Sequence, residues 1–492
     1  MTVAPAVDRP QGSGHRLLRL MVPLMLVLFI SNLDATVVAT AIPSIGRGLR
    51  DLAGAPWIAT AYLLTSAITT LVLGKLGDLY GRKPVFQFSI AVFLAGSALC
   101  GTASSMLWLV LFRGLQGIGG GGLNSLVMAI IGDVVPARQR SRYQALLGIV
   151  ATLALIAGPL AGGLFAQDLS WRWIFYINLP VGIAALVAVA AFLHLPARPG
   201  GARAGGARSR IDGAGAVLAA VFTTAALLAA TWGGTTYAWS SPLILALAGL
   251  SVVSLIAYLA AEHRVAQRRT AEPLTPLHLF RSGVFSISVV QFLLATMVLF
   301  VAMLYVPSFL QAVQHKPAFT AGLYVIPLLV GLVAATAVAG PVIARTGRYK
   351  LYPVIGAVLT GASMGALSLI GAHSGALAIV VPLVFAGAGI GLFVQVALLA
   401  GQNAVEHRHL GTATGALNFF KSLGGACGAA LFGALLTHGL AAGPAVTAYR
   451  TVFAWTIPFM VVALVLAVLM PEQPLSEEMI DVAAGRTEVP EY

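Results

Sequence analysis

Residues 74–83 read GKLGDLYGRK: four charged side chains and three glycines in ten residues. The chain around them avoids charge. Over 492 residues it is 59% hydrophobic and 9% charged, where a soluble domain carries roughly 25% charged residues. So little charge cannot cover a water-facing surface, so a bilayer is the main solvent. The stretch then reads as a loop at the membrane surface, joining two apolar runs long enough to cross.

A helix needs about 20 mostly apolar residues to span the hydrocarbon core. Working outward from the loop gives fourteen such segments. Six fall in residues 19–195, two in 196–281 and six in 282–470. That leaves residues 1–18 and 471–492 as polar ends. The first apolar run is longer than the core of a cleavable signal, so it reads as the first span. Placing Lys and Arg on alternate sides puts 22 on the side of the quoted loop. The other side receives five: Arg47, Arg50, Arg172, Lys316 and Arg450. This asymmetry predicts an even number of spans with both ends cytoplasmic. It also accounts for the net charge of +13 as topology signals facing anionic lipid, and argues against a nucleic-acid partner. Cys100 and Cys427 lie far apart in apolar runs, so neither a disulfide framework nor a zinc site is expected.

The loop has an echo. Residues 340–350, GPVIARTGRYK, repeat the spacing of Gly74, Gly81 and Arg82 as Gly340, Gly347 and Arg348, an offset of 266 residues. The same offset carries Gly158 and Gly162 onto Gly424 and Gly428. Spans 1–6 therefore repeat as spans 9–14, with spans 7 and 8 inserted between. Chance matching of glycine-rich helices is the bland alternative; two landmarks in corresponding places argue against it. Parallel repeats place a substrate site between the halves near the midplane.

With these residues in view, the chain resembles the major facilitator superfamily, in its 14-helix drug:proton antiporter branch (EmrB/QacA-like exporters). Gly74, Leu76, Gly77, Asp78, Gly81, Arg82 and Lys83 match the family's loop 2–3 signature. LDATVVATAIP, RGLQGIGGGG, GPLAGG and WRWIFYINLPVG resemble motifs of the first, fourth, fifth and sixth spans. The extended fifth-span pattern has glycines where Ala145 and Ala154 stand here. The resemblance implies an all-α integral membrane protein: two six-helix bundles plus two inserted helices.

Three ionisable residues lie well inside spans: Asp34, Arg113 and Lys421. Such a residue costs roughly 2.5–3.5 kcal/mol at a helix centre and is functional by default. Asp34 and Arg113 fall at compatible depth in the outer half. Asp34 reads either as a proton-coupling group or as half of a fixed ion pair with Arg113. The resemblance implies the first. The repeat counterpart of Asp34 is Phe300, and span 10 holds no acid, whereas some dication-exporting relatives carry acids there. A neutral or monocationic lipophile is thus the expected substrate, with about one proton per cycle and no other cofactor. Lys421 has three readings: it pairs with an anionic substrate, pairs with Asp34, or snorkels toward lipid headgroups.

Asp78 ends the second span and can face Arg82, other loop cations or a helix N-terminus; its counterpart Ala344 cannot. The cluster Gly74, Asp78, Gly81, Arg82 and Lys83 therefore reads as a gate, which is also the role the resemblance assigns. Topology alone would need only the cations. Gly158, Pro159, Gly162 and Gly163 suit close packing, expected against span 13. QGIGGGGLN lacks the strand and Gly-Lys-Ser/Thr of a phosphate loop. Asn32, Tyr62, Gln116, Asn124, Phe300, Tyr305, Gln395, Asn418 and Lys421 are the substrate-cavity candidates. EHRH (406–409) reads as a solvated loop, not a metal site. No catalytic constellation supports an enzyme. The expectation is a monomeric cell-membrane exporter of lipophilic drugs or antibiotics, contacting membrane lipid. A transporter of a lipid or of one endogenous metabolite is the rival.

Overall fold

A computed structural model describes residues 13–51, 54–55, 57–135, 137–168, 170–193, 213–234, 237–268, 277–406 and 409–472. Seventeen α-helices occupy them. The first half holds α1 (Ser13–Gly48), α2 (Trp57–Tyr80), α3 (Arg82–Thr102), α4 (Met106–Val134), α5 (Ala137–Asp168), α6 (Trp173–Tyr176) and α7 (Asn178–Phe192). The inserted pair is α8 (Gly213–Trp232) and α9 (Pro242–Arg268). The second half holds α10 (Gly283–Ala312), α11 (Ala318–Leu323), α12 (Val325–Thr346), α13 (Leu351–Leu367), α14 (Ala376–Asn403), α15 (Leu410–Ala442), α16 (Ala445–Ala454) and α17 (Thr456–Leu469). In hydrocarbon every backbone polar group must be satisfied within its own segment, which dictates helices for so apolar a chain. Thirteen helical stretches among the described residues are long and apolar enough to cross a membrane, and α13, at 17 residues, is the shorter fourteenth. This is a multi-pass membrane protein.

Three of the fourteen spans are broken, each for the same reason. Span 6 is split between α6 and α7, span 10 between α11 and α12, and span 14 between α16 and α17. The first piece ends at Tyr176, Leu323 and Ala454, four residues before Pro180, Pro327 and Pro458 respectively. A proline ring clashes with the carbonyl four residues back, which kinks or breaks a helix; at Pro307, Pro341 and Pro382 the helix continues. Spans 6 and 14 also extend the repeat. Arg172 donates to the carbonyl of Ala103 at the end of α3, at 3.0 Å. Arg450 donates to Ile370 (2.6 Å) and Leu369 (2.9 Å), just past the end of α13. Each arginine satisfies orphaned carbonyls at a helix C-terminus, where a cation is favoured. Arg450→Ala is expected to lower stability by about 1.5–3 kcal/mol, the worth of hydrogen bonds to a charged group. Thermal unfolding in detergent checks this, with Arg172→Ala, which loses a single bond, costing less.

Each half has its own apolar core. Leu24, Phe86, Phe93 and Ile130 sit in the first; Phe309, Phe393, Phe432 and Phe453 sit in the second. Between the halves, α2 packs on α15 and α5 packs on α12. Because span 2 corresponds to span 10 and span 5 to span 13, these are the same contact made twice, as a pseudo-two-fold axis requires. The fifth span thus meets α1 and α12, where the sequence suggested span 13. The inserted α8 touches both α2 and α15. Phe222 lies 5.8 Å from Phe419, and Trp232 lies 5.1 Å from Trp57. The insertion therefore straddles the seam on the α2–α15 side.

Candidate functional site

Two polar assemblies stand out against the apolar background. The first surrounds Asp34, which has no exposed surface. One carboxylate oxygen accepts from Arg113 at 2.7 Å. The other accepts from the side-chain amides of Gln116 (2.9 Å) and Asn178 (2.8 Å). Arg113 is itself held on three sides. It donates to the carbonyl of Ile58 (3.2 Å) and to Gln116 Oε1 (2.8 Å), and its guanidinium lies 4.3 Å from the centre of the Tyr62 ring. Asn178 also donates to Ser97 Oγ at 3.0 Å. The fold brings these groups together through α1, α2, α3, α4 and the first residue of α7. The carboxylate thus accepts from three donors, one of them cationic, so both of its oxygens are partnered. Every partner belongs to the first half of the chain.

The second assembly closes the end of the molecule that carries the quoted loop. The Asp78 carboxylate reaches across the seam to the first turn of α15. There it accepts from the backbone N–H of Gly411 (3.1 Å), the N–H of Thr412 (2.7 Å) and the Thr412 hydroxyl (2.8 Å). This is a helix cap supplied by the opposite half, with the negative charge at the positive end of the helix. Arg82 clamps Asp78 from its own half at 2.8 Å and bonds Asp133 at the end of α4 at 2.7 Å. Lys83 donates to the carbonyl of Ala190 near the end of α7. More bonds join the halves at this end. Ser141 donates to the Gly340 carbonyl (2.8 Å), Gln395 to the Ser141 carbonyl (2.9 Å) and Gln144 to Gln402 (3.0 Å).

The two repeated glycine pairs have specific jobs here. Gly81 and Gly347 hold φ of +93° and +71°, the left-handed region open to glycine. Gly74 and Gly340 are points of closest approach. A Cβ on Gly74 would lie 2.8 Å from the Gly411 carbonyl oxygen, and one on Gly340 would lie 2.7 Å from that of Ser141.

The remaining candidates divide. Gln116 is fully buried within the Asp34 cluster, and Tyr62 stacks on Arg113, so neither faces a cavity freely. Gln395 belongs to the closed seam. Tyr305 is buried in the second core, its hydroxyl donating to the Ala429 carbonyl at 2.6 Å. Asn32 and Asn418 are half-buried and bond their own helices, at Leu28 and Thr414. Asn124 ties α4 to Ser31 of α1 at 3.1 Å. Phe300 is 42% exposed and Lys421 is half-buried. No Cβ would fit between Gly158 and Thr36, so the fifth-span motif packs on α1. Gly162 is buried; the packing of Pro159 and Gly163 lies outside the described residues. His407 and Arg408 of EHRH lie outside as well, and no metal-binding group of His, Cys, Asp or Glu occurs among the described residues.

Sequence reading assigned no role to Asn178, Asp133, Ser141, Gln144, Gln402 or Thr412. Asn178 was visible only as part of WRWIFYINLPVG, and Asp133 only as an acid near the loop cations.

The family model for the Major Facilitator Superfamily matches residues 24–212 and 202–429. The chain belongs to the major facilitator superfamily. An uncharacterized MFS-type transporter, Rv1877 of Mycobacterium tuberculosis, is 35% identical over 97% of this chain and 73% of its own length. The multidrug transporter protein MdtP of Bacillus subtilis is 33% identical over 87% of this chain and 76% of its own. Among solved structures, the proton:xylose symporter XylE has a TM-score of 0.66 at 14% identity, covering 95% of this chain and 99% of that one. That last likeness shows the shared fold. The family is one of transporters, not enzymes.

Proposed function

We propose that the protein is a proton-coupled exporter of lipophilic small molecules, working by alternating access in the cell membrane. The observation that carries this reading is the buried Asp34–Arg113 pair with its Gln116 and Asn178 donors. A carboxylate placed inside a membrane bundle is the group that can bind a proton on one side and release it on the other. The likeness to MdtP supports export of drugs in particular.

The excess of Lys and Arg makes the closed end cytoplasmic. On this reading the structure is sealed from the cytosol by the Asp78 cap and the Ser141–Gln144–Gln395–Gln402 bonds. Opening inward breaks the cap on α15 while Arg82 keeps Asp78 partnered, so Asp78 is never left buried and bare. Rocking one half against the other leaves the Asp34 cluster whole, because all its members ride on one half. Proton exchange at Asp34 therefore needs movement within that half. The break between α6 and α7 at Ile177, beside Asn178, is where the first bundle can give.

The test is transport by the purified chain in sealed vesicles carrying an imposed pH gradient. Uptake or efflux of a lipophilic dye should follow the gradient and stop when an ionophore collapses it. Transport that ignores the collapse sinks the antiport reading.

A further inference from the structure

Lys421 is a further charge inside a membrane-spanning helix, and nothing in the Asp34 cluster uses it. It lies eleven residues into α15, about 16 Å along the helix from its first residue. It packs beside α10 yet keeps part of its surface accessible. Among the described residues no carboxylate forms an ion pair with it. Asp34 is taken by Arg113, and Asp78 and Asp133 by Arg82. The Phe292 ring on α10 has its centre 6.0 Å from Nζ. One turn further along α15 lies Gly425, and the Phe300 ring covers it, 2.9 Å from where a Cβ would stand. Phe300 remains 42% exposed. A cation one helical turn from an exposed aromatic side chain, with no ion-paired acid among the described residues, has the chemistry of a receptor for an amphiphilic anion.

Resting on the exporter reading, we propose that Lys421 and Phe300 form the substrate subsite. It takes lipophilic monoanions, such as aromatic carboxylates, with the acid group on Lys421 and the apolar body on Phe300. This departs from the neutral or monocationic lipophile expected from the missing second acid. An absent acid removes a cation site, while a present, unpaired lysine supplies an anion site. Charge bookkeeping follows. One proton entering against one anion leaving moves two positive charges inward per cycle. A neutral substrate moves one and a monocation none. Each charge crossing 100 mV is worth about 50-fold in the limiting gradient.

The experiment measures binding of three matched probes to the purified full chain in detergent: a naphthylalkyl carboxylate, its primary amide and its trimethylammonium analogue. The carboxylate should bind at least about tenfold more tightly than either. Lys421→Gln should abolish that preference while amide binding, which reports a folded cavity, persists. Lys421→Arg should retain it. Equal binding of the three probes by the wild type, or an unchanged preference in Lys421→Gln, overturns the proposal. In phosphatidylcholine vesicles the carboxylate should still bind. If added phosphatidylglycerol displaces it through Lys421, the anion is a lipid headgroup and the free-substrate assignment falls. The two readings fail separately. Lys421-dependent carboxylate binding without pH-driven transport sinks the exporter; pH-driven transport of neutral dye with no carboxylate preference sinks only the subsite.

Discussion

Asp34→Asn should abolish pH-driven transport while leaving a folded, substrate-binding protein. A proton is worth about 1.36 kcal/mol per pH unit, a tenfold concentration ratio. With an imposed difference of two pH units, wild type should support a gradient of up to about 100-fold per proton, and the variant none. Exchange of substrate down its own gradient should survive, because asparagine removes titration and not the cavity. The structural cost is modest. Asparagine offers one acceptor oxygen where the carboxylate offered two, so either Arg113 or the pair Gln116 and Asn178 loses its acceptor, at about 1–3 kcal/mol for each donor left unpaired. Arg113→Met is the contrasting case. It leaves a buried carboxylate without its counter-ion, which costs about 3–5 kcal/mol. Adding Asp34→Asn to Arg113→Met should then recover stability, since the stranded charge is gone. Thermal unfolding of the four proteins gives the cycle. A wild-type gradient in Asp34→Asn would show the pair to be a fixed structural tie.

Gly74→Val should prevent the end that carries Asp78 from closing. The valine Cβ would meet the carbonyl oxygen of Gly411 at 2.8 Å, and that oxygen is backbone in the first turn of α15. A side chain could rotate away; a helical carbonyl cannot. Overpacking of this kind costs about 1–3 kcal/mol, here only in the closed state. That shifts the balance of closed to open by about 5–150-fold. Spin labels at Gln139 and Thr346, both exposed at that end, should report a longer separation in the variant, with export falling in step. Gly340→Val should behave alike, meeting the Ser141 carbonyl at 2.7 Å. An unchanged label distance with normal export would remove the glycines from the gate.

Much of this was legible in the sequence. Bilayer as solvent, span number and the repeat follow from apolar runs, charge placement and an offset of 266 residues, because each is a one-dimensional property. Asp34, Arg113 and Lys421 were conspicuous for the same reason: a charge in an apolar run has few innocent explanations. Asp78 facing a helix N-terminus was a reading open to the sequence; that the helix is α15, and that Thr412 supplies both its N–H and its hydroxyl, was not. Gln116 and Gln395 looked alike as polar residues in spans, yet one holds the buried acid and the other joins the two halves.

Sequence by itself determined the solvent, the helices and which charges must find partners, since these depend on local chemistry and chain order. Only the tertiary structure decided the partners. It joined Asn178 to Asp34 across 144 positions and Asp78 to Thr412 across 334, and among the described residues it left Lys421 without an ion-paired acid. The physical reason is rotation. Which way a helical side chain points is set by the packing of its neighbours, and a difference of one residue turns it by about 100°.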